Sequence, residues 1–151
     1  MDSVPLVGNP LRILVADKRF EQRVIVEKCL GLMGYYKVCP AGCFEEMITL
    51  THINSPLVDR FDLLIVNANL VVSAGVDVFD FCFHNSRVKN VLVYEAALEA
   101  GTSTTYKKKF NWKLRLIPGV GAEALEDFLS LIDSNFRQKK KQNSKARSVA
   151  F

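Results

Sequence analysis

Polar residues follow several short apolar runs of the chain, at the points where the runs end. They are Asp17, Lys18, Asn67, Asn69 and Glu95, and Pro118 follows the last run. Carboxylates hold hard metal ions or move protons, and an ammonium can neutralise them. Because no nucleophile–base pair and no strong phosphate-binding loop accompanies these residues, we expect no enzyme activity.

Strands and helices are predicted to alternate along the chain. Short apolar runs predict buried strands at residues 11–16, 61–66, 91–94 and 113–117, with a weaker strand at 37–39. Helical spacing predicts helices at 21–33, 44–53 and 76–84, and a last helix with one apolar face formed by Leu125, Phe128, Leu129, Ile132 and Phe136. Residues 67–75 and 101–112 are interpreted as loops, the second as a loop or a distorted helix.

This alternation predicts an α/β fold in which helices cover both faces of a parallel sheet. In such folds ligands bind at the carboxyl ends of the strands. We therefore expect the polar residues that follow the strands to share one cleft.

The charge is divided unevenly along the 151 residues, whose net charge is +4. Six of the 20 basic residues and none of the 16 acidic ones lie in residues 137–151, so the rest of the chain carries a net charge of −2. We expect an N-terminal extension at 1–10, one domain at 11–136 and a basic, disordered tail at 137–151. The tail and the basic segment 107–115 leave a nucleic-acid-associated regulator as an alternative function.

The composition is that of an ordinary globular chain, with 49% hydrophobic and 24% charged residues. No apolar run approaches the ~20 residues of a membrane-spanning helix, and no signal peptide is recognisable, so we expect a cytoplasmic protein without membrane contact. The four cysteines lack paired spacing and are interpreted as reduced thiols, with no metal or cofactor. A zinc site formed by Cys39, Cys43, Cys82 and His84 is the less favoured alternative.

From about residue 11 to residue 135, the order and spacing resemble the receiver domain of response regulators, the CheY-like family of two-component signalling. Residues 67–75 have the length of the family's loop after the third strand, with Asn69, Leu70 and Gly75 at the family's Asn, Met and Gly. The resemblance implies a flavodoxin-like, three-layer α/β/α sandwich with a five-stranded parallel sheet.

The residues that the family uses for phosphoryl transfer are replaced. By resemblance, Asn67 stands at the phosphoacceptor aspartate, Lys18 at the second metal-binding acid and Glu95 at the switch hydroxyl, and the lysine before Pro118 is lost. The chain is thus similar to a pseudo-receiver, which implies a two-component or phosphorelay role through protein contacts without phosphorylation. Lys18 either replaces the metal by pairing with Asp17 or Glu95 and bonding Asn67, or points into solvent.

The resemblance also implies where a partner would bind. Receiver domains usually signal, often as homodimers, through the face of their fourth helix, fifth strand and fifth helix. On this chain that face corresponds to Tyr106, Trp112, Leu125, Phe128 and Leu129. The expected partner is a signalling protein or a second copy of the chain.

Overall fold

The computed structural model describes residues 11–51, 61–84, 88–96, 104–107, 113–133 and 136. Within these residues the strands are β1 (Ile13–Ala16), β2 (Val38–Ala41), β3 (Leu63–Asn67), β4 (Asn90–Tyr94), β5 (Thr104–Lys107) and β6 (Lys113–Leu116). The helices are α1 (Phe20–Leu32), α2 (Phe44–Thr51), α3 (Ala68–Val72), α4 (Val78–His84) and α5 (Ala122–Ile132). No helix in these ranges is both long enough and apolar enough to cross a membrane.

The strands form one sheet in the order β2-β1-β3-β4-β6-β5, in which β1, β2, β3, β4 and β6 are parallel. Strands β1, β3 and β4 are buried along their whole length, as their continuous apolar sequences predict. Ala16 pairs with Val66 and Asn67 with Tyr94, so these three strands end at the same edge. The predicted five-stranded parallel sheet of a flavodoxin-like fold is confirmed.

Helices cover both faces of the sheet and give the predicted three layers. On one face, α1 and α5 bury the side chains of Val26, Leu30, Leu125, Phe128 and Leu129 against β1, β3 and β4. On the other face, Met47 of α2, Val71 of α3 and Cys82 of α4 enter a second apolar cluster. Strands β1, β3 and β4 each supply both clusters, because successive side chains alternate between the faces.

A buried hydrogen bond fastens the ends of α1 and α5 together. The hydroxyl of Tyr35 donates to Oδ2 of Asp133 at 2.7 Å, and the two residues are 1% and 9% exposed. The ring of Phe136 packs on Tyr35 with 5.9 Å between centroids. Phe136, the last described residue, is therefore part of the apolar core on this face of the sheet.

Two segments differ from the prediction of loops. Residues 104–107 form β5, a sixth strand that pairs antiparallel with β6 at the edge of the sheet. Its sequence Thr-Thr-Tyr-Lys contains three good strand formers, and an edge strand accepts charged residues. Residues 68–72 form the short helix α3, which Asn67 caps.

The predicted docking face is wrong for its three α5 residues. Leu125, Phe128 and Leu129 are at most 1% exposed, because the apolar stripe that suggested a docking surface packs against the sheet. Tyr106 lies in β5, but its side chain is not described, and Trp112 lies outside the described residues. The proposed extension 1–10 and tail 137–151 also lie outside them.

Candidate functional site

Asp17 is the buried centre of a polar cluster at the carboxyl edge of the sheet. It follows β1 directly and is 1% exposed. Its Oδ1 accepts a hydrogen bond from the backbone N–H of Arg19 at 2.8 Å, and its Oδ2 accepts one from Nδ2 of Asn67 at 3.2 Å. The buried hydroxyl of Tyr94, the last residue of β4, also donates to Oδ2. Together with the side chain of Arg19, these three donors orient the carboxylate of Asp17.

The guanidinium of Arg19 bridges two carboxylates. Its Nε and Nη2 donate to Oδ1 and Oδ2 of Asp17 at 3.2 and 3.0 Å, the paired geometry in which arginine binds a carboxylate most strongly. Nη2 also donates to Oε2 of Glu95. The Arg19 side chain is 51% exposed, so the bridge lies at the mouth of the cluster while Asp17 lies beneath it.

Asn67 uses both ends of its side-chain amide. Nδ2 donates to Asp17 and, at 2.9 Å, to Oε2 of Glu95. Oδ1 accepts from the backbone N–H of Asn69 at 2.7 Å, which caps α3. The amide carries two donor hydrogens and one acceptor oxygen, so its orientation is determined by these three contacts.

Glu95 completes the cluster from an unusual backbone conformation. Its φ is 55°, in the left-handed region that residues other than glycine seldom adopt. The next residue, Ala96, donates its N–H to the carbonyl of Ile117 at 3.1 Å and so ties this turn to the end of β6. A backbone conformation of this kind costs ~1–3 kcal/mol and persists where the surrounding structure holds it. Here the contacts of the Glu95 carboxylate with Arg19 and Asn67 hold the residue in place.

The cluster stabilises the charged form of Asp17. Burial alone raises the pKa of this carboxyl, but hydrogen bonds from Arg19 and Tyr94 outweigh it, so the pKa lies below its usual value. Hydrogen bonds to Asp17 and Glu95 raise the pKa of Arg19. Burial and the bond to Asp17 raise the pKa of Tyr94, which stays a neutral donor.

A cavity of about 450 Å³ opens beside the cluster. Its lining comes from the ends of β1, β2, β3 and β4, from the start of α2, and from α3 and the residues that follow it. The residues are Asp17, Lys18, Arg19, Gly42, Cys43, Phe44, Glu45, Asn67, Asn69, Leu70, Ser73, Ala74 and Glu95. The carboxyl edge thus combines a polar floor, in which Arg19 pairs with Asp17 and Glu95, with an accessible wall of polar and apolar residues.

The structure brings five of the six predicted site residues to this cavity. Asp17, Lys18, Asn67, Asn69 and Glu95 line it, whereas Pro118 is exposed and does not.

The cation that pairs with the carboxylates is Arg19, and the hypothesis that Lys18 takes this role is wrong. Lys18 is exposed at the rim. Its ammonium makes no contact with Asp17 or Glu95, and both carboxylates pair with Arg19.

Sequence reasoning missed Arg19 and Tyr94. The available signal was position: Arg19 stands two residues after the strand-ending Asp17, close enough for its own backbone N–H and side chain to reach that carboxylate. Tyr94 stands directly before Glu95 at the end of an apolar strand, where a buried hydroxyl needs a partner.

Among the described residues, no group of three or more His, Cys, Asp or Glu side chains is arranged to hold a metal ion. Cys29 and Cys39 are half-buried, Cys43 is exposed and Cys82 is buried. Burial raises the pKa of the Cys39 thiol. The side chain of His84, the fourth ligand of the alternative zinc site, is not described.

The basic segments of the alternative function fall mainly outside the described part of the chain. Residues 108–112 and the tail 137–151 are not described. Arg115 is half-buried in β6, and its guanidinium lies 5.5 Å from the ring centroid of Phe128. This arginine therefore packs against α5.

Comparisons of the chain with protein-family models, with curated proteins and with solved structures found no match.

Proposed function

We propose that this chain is an atypical receiver-like domain of two-component-type signal transduction, which acts through protein contacts without phosphoryl transfer. The observation that carries the proposal is the bridge from the Arg19 guanidinium to the carboxylates of Asp17 and Glu95. It lies at the carboxyl edge of the sheet, where folds of this type bind ligands.

The first support is the chemistry of Asn67. An amide nitrogen is a poor nucleophile compared with a carboxylate, and this one already donates to Asp17 and Glu95. Its oxygen accepts the N–H of Asn69. Attack on a phosphoryl group would require a different residue type and the loss of these hydrogen bonds.

The second support is the charge arrangement. Magnesium binds an octahedron of oxygen ligands and keeps several waters, so it needs open carboxylate oxygens facing one point. Here Arg19 covers Oδ1 and Oδ2 of Asp17 and also contacts Oε2 of Glu95. Glu95 would further repel an incoming phosphoryl group, because both carry negative charge.

These features favour a constitutive binding module over a phosphorylation switch. The buried residues of the cluster, Asp17, Asn67 and Tyr94, are at most 4% exposed, and the side chains of Asn67 and Tyr94 both donate hydrogen bonds to Asp17. Such a satisfied network supports one arrangement of the strand ends. A partner would then recognise a surface that does not depend on a phosphodonor.

The test is intact-mass spectrometry after incubation with magnesium and acetyl phosphate. We expect the mass to stay unchanged for the natural chain and for Asn67→Asp, since Arg19 and Glu95 remain in that variant. A natural receiver domain with its aspartate intact serves as the positive control. A stoichiometric gain of ~80 Da, the increment of one phosphoryl group, would overturn the proposal.

A further inference from the structure

The outer surface of α1 carries a stripe of four exposed residues. Glu21, Ile25, Lys28 and Leu32 are separated by four, three and four positions, which places them on one side of the helix. The two apolar members, Ile25 and Leu32, are 53% and 90% exposed. The opposite side of α1 buries Val26 and Leu30 in the core. Helix α1 therefore exposes apolar side chains on its outer side in addition to those that it buries.

Exposed apolar side chains are concentrated around this stripe. Five large hydrophobic residues are exposed in the described part of the chain, and four of them are Phe20, Ile25, Leu32 and Tyr36, on α1 or just after it. A single exposed leucine is ordinary, but several large exposed hydrophobic residues on and beside one helix indicate an interaction site.

We infer that this stripe binds a second copy of the same chain, with the two α1 helices antiparallel and a two-fold axis near Ile25. The evidence for a second copy is the order of charges. Glu21 lies four residues before Ile25, and Lys28 lies three residues after it. Reversing one helix against the other brings Glu21 of each copy opposite Lys28 of the other, as an isologous contact requires.

The apolar residues fit the same arrangement. Ile25 meets its own counterpart at the axis, and Leu32 lies about 10 Å further along the helix, at 1.5 Å per residue. In this arrangement it lies over the residues that directly precede the opposite α1.

Two helices crossing in this way bury less surface than the ~1,200–2,000 Å² of standard stable interfaces. We therefore expect a reversible dimer of micromolar affinity. The inference is independent of phosphoryl chemistry, because the stripe faces away from the sheet, and it differs from a dimer formed through α5, whose apolar residues are buried.

Sedimentation equilibrium of the full chain over a concentration series tests the interface by charge exchange. Glu21→Lys or Lys28→Glu alone places like charges opposite each other twice, which should weaken the dimer about 5–30-fold. The double variant Glu21→Lys/Lys28→Glu should restore the natural affinity, since the pairs re-form with reversed sign. The two positions are seven residues apart, so an effect within one helix does not mimic this rescue.

Leu32→Gln should weaken the dimer, whereas Val72→Gln, at a residue that is 57% exposed on α3, is the matched control and should leave it unchanged. Circular dichroism checks that each variant is folded. A natural chain that is monomeric throughout the series, or a double variant no better than the single ones, would overturn the inference.

Discussion

Replacing Arg19 by glutamine isolates the stabilising effect of the guanidinium bridge. The variant loses the bonds from Nε and Nη2 to Asp17 and the bond to Glu95, but Asp17 keeps the backbone N–H of residue 19, Tyr94 and Asn67. Removing one partner from a fully buried ion pair costs about 3–5 kcal/mol, whereas exposed pairs contribute ~0–1 kcal/mol.

Arg19 lies between these limits, because its side chain is 51% exposed while that of Asp17 is 2% exposed. In Arg19→Gln, water can reach the two carboxylates through the space that the guanidinium occupies in the natural chain. We therefore expect a loss of about 1–2 kcal/mol in the free energy of unfolding, which corresponds to a fall of ~2–8 °C in Tm for a chain of this size.

Urea unfolding followed by circular dichroism at neutral pH measures the loss, with Lys18→Gln as the matched control. Lys18 is the adjacent cation and is exposed without a contact to either carboxylate, so its replacement should change the stability by less than ~0.5 kcal/mol. Equal losses in the two variants, or a loss below ~0.5 kcal/mol for Arg19→Gln, would refute the assignment of Arg19 as the neutralising cation.

Three further predictions concern buried polar groups. Because the pKa of Asp17 is below its ordinary 3.8 in the folded chain, the unfolded chain takes up the proton first as the pH falls. The stabilising contribution of Asp17 is thus complete above pH 3.8 and is lost as the pH falls through the pKa of the folded chain. In urea unfolding, the free energy of unfolding of Asp17→Asn should therefore fall less steeply with acidification than that of the natural chain. Tyr35→Phe leaves the buried Asp133 carboxylate without its 2.7 Å donor and should lower the unfolding free energy by ~1–3 kcal/mol in the same assay, with Tyr36→Phe, at an exposed tyrosine, as control. Asn67→Asp puts a third carboxylate beside two others and removes two donor contacts, so calorimetry should show a Tm lower than that of the natural chain at pH 7 and a smaller difference in acid. An Asn67→Asp chain more stable than the natural one at pH 7 would contradict this account of the cluster.

The parallel sheet was predictable because its strands are continuous apolar runs. Strands buried on both faces contain no polar alternation, and each ends at a polar residue or is followed directly by one. The rule that ligand sites lie at the carboxyl ends of such strands was then enough to bring Asp17, Asn67 and Glu95 together.

The failures have identifiable physical causes. Residues 104–107 were predicted to lie in a loop because the lysines that follow them are not typical of a strand. The strand forms through its antiparallel pairing with β6, which a local sequence pattern does not reveal. The apolar side chains of α5 were assigned to a docking face, although they are buried against the sheet and are therefore not accessible to a partner. The choice between Lys18 and Arg19 depends on the direction of the chain after β1, which residue type alone does not specify.

Isothermal titration calorimetry with magnesium chloride tests most directly the claim that the Arg19 guanidinium stands in place of a divalent cation. The account predicts no saturable heat at millimolar magnesium for the natural chain, because the oxygens of Asp17 are already bonded to Arg19, Asn67 and Tyr94. Saturable binding that Asp17→Asn abolishes would contradict it.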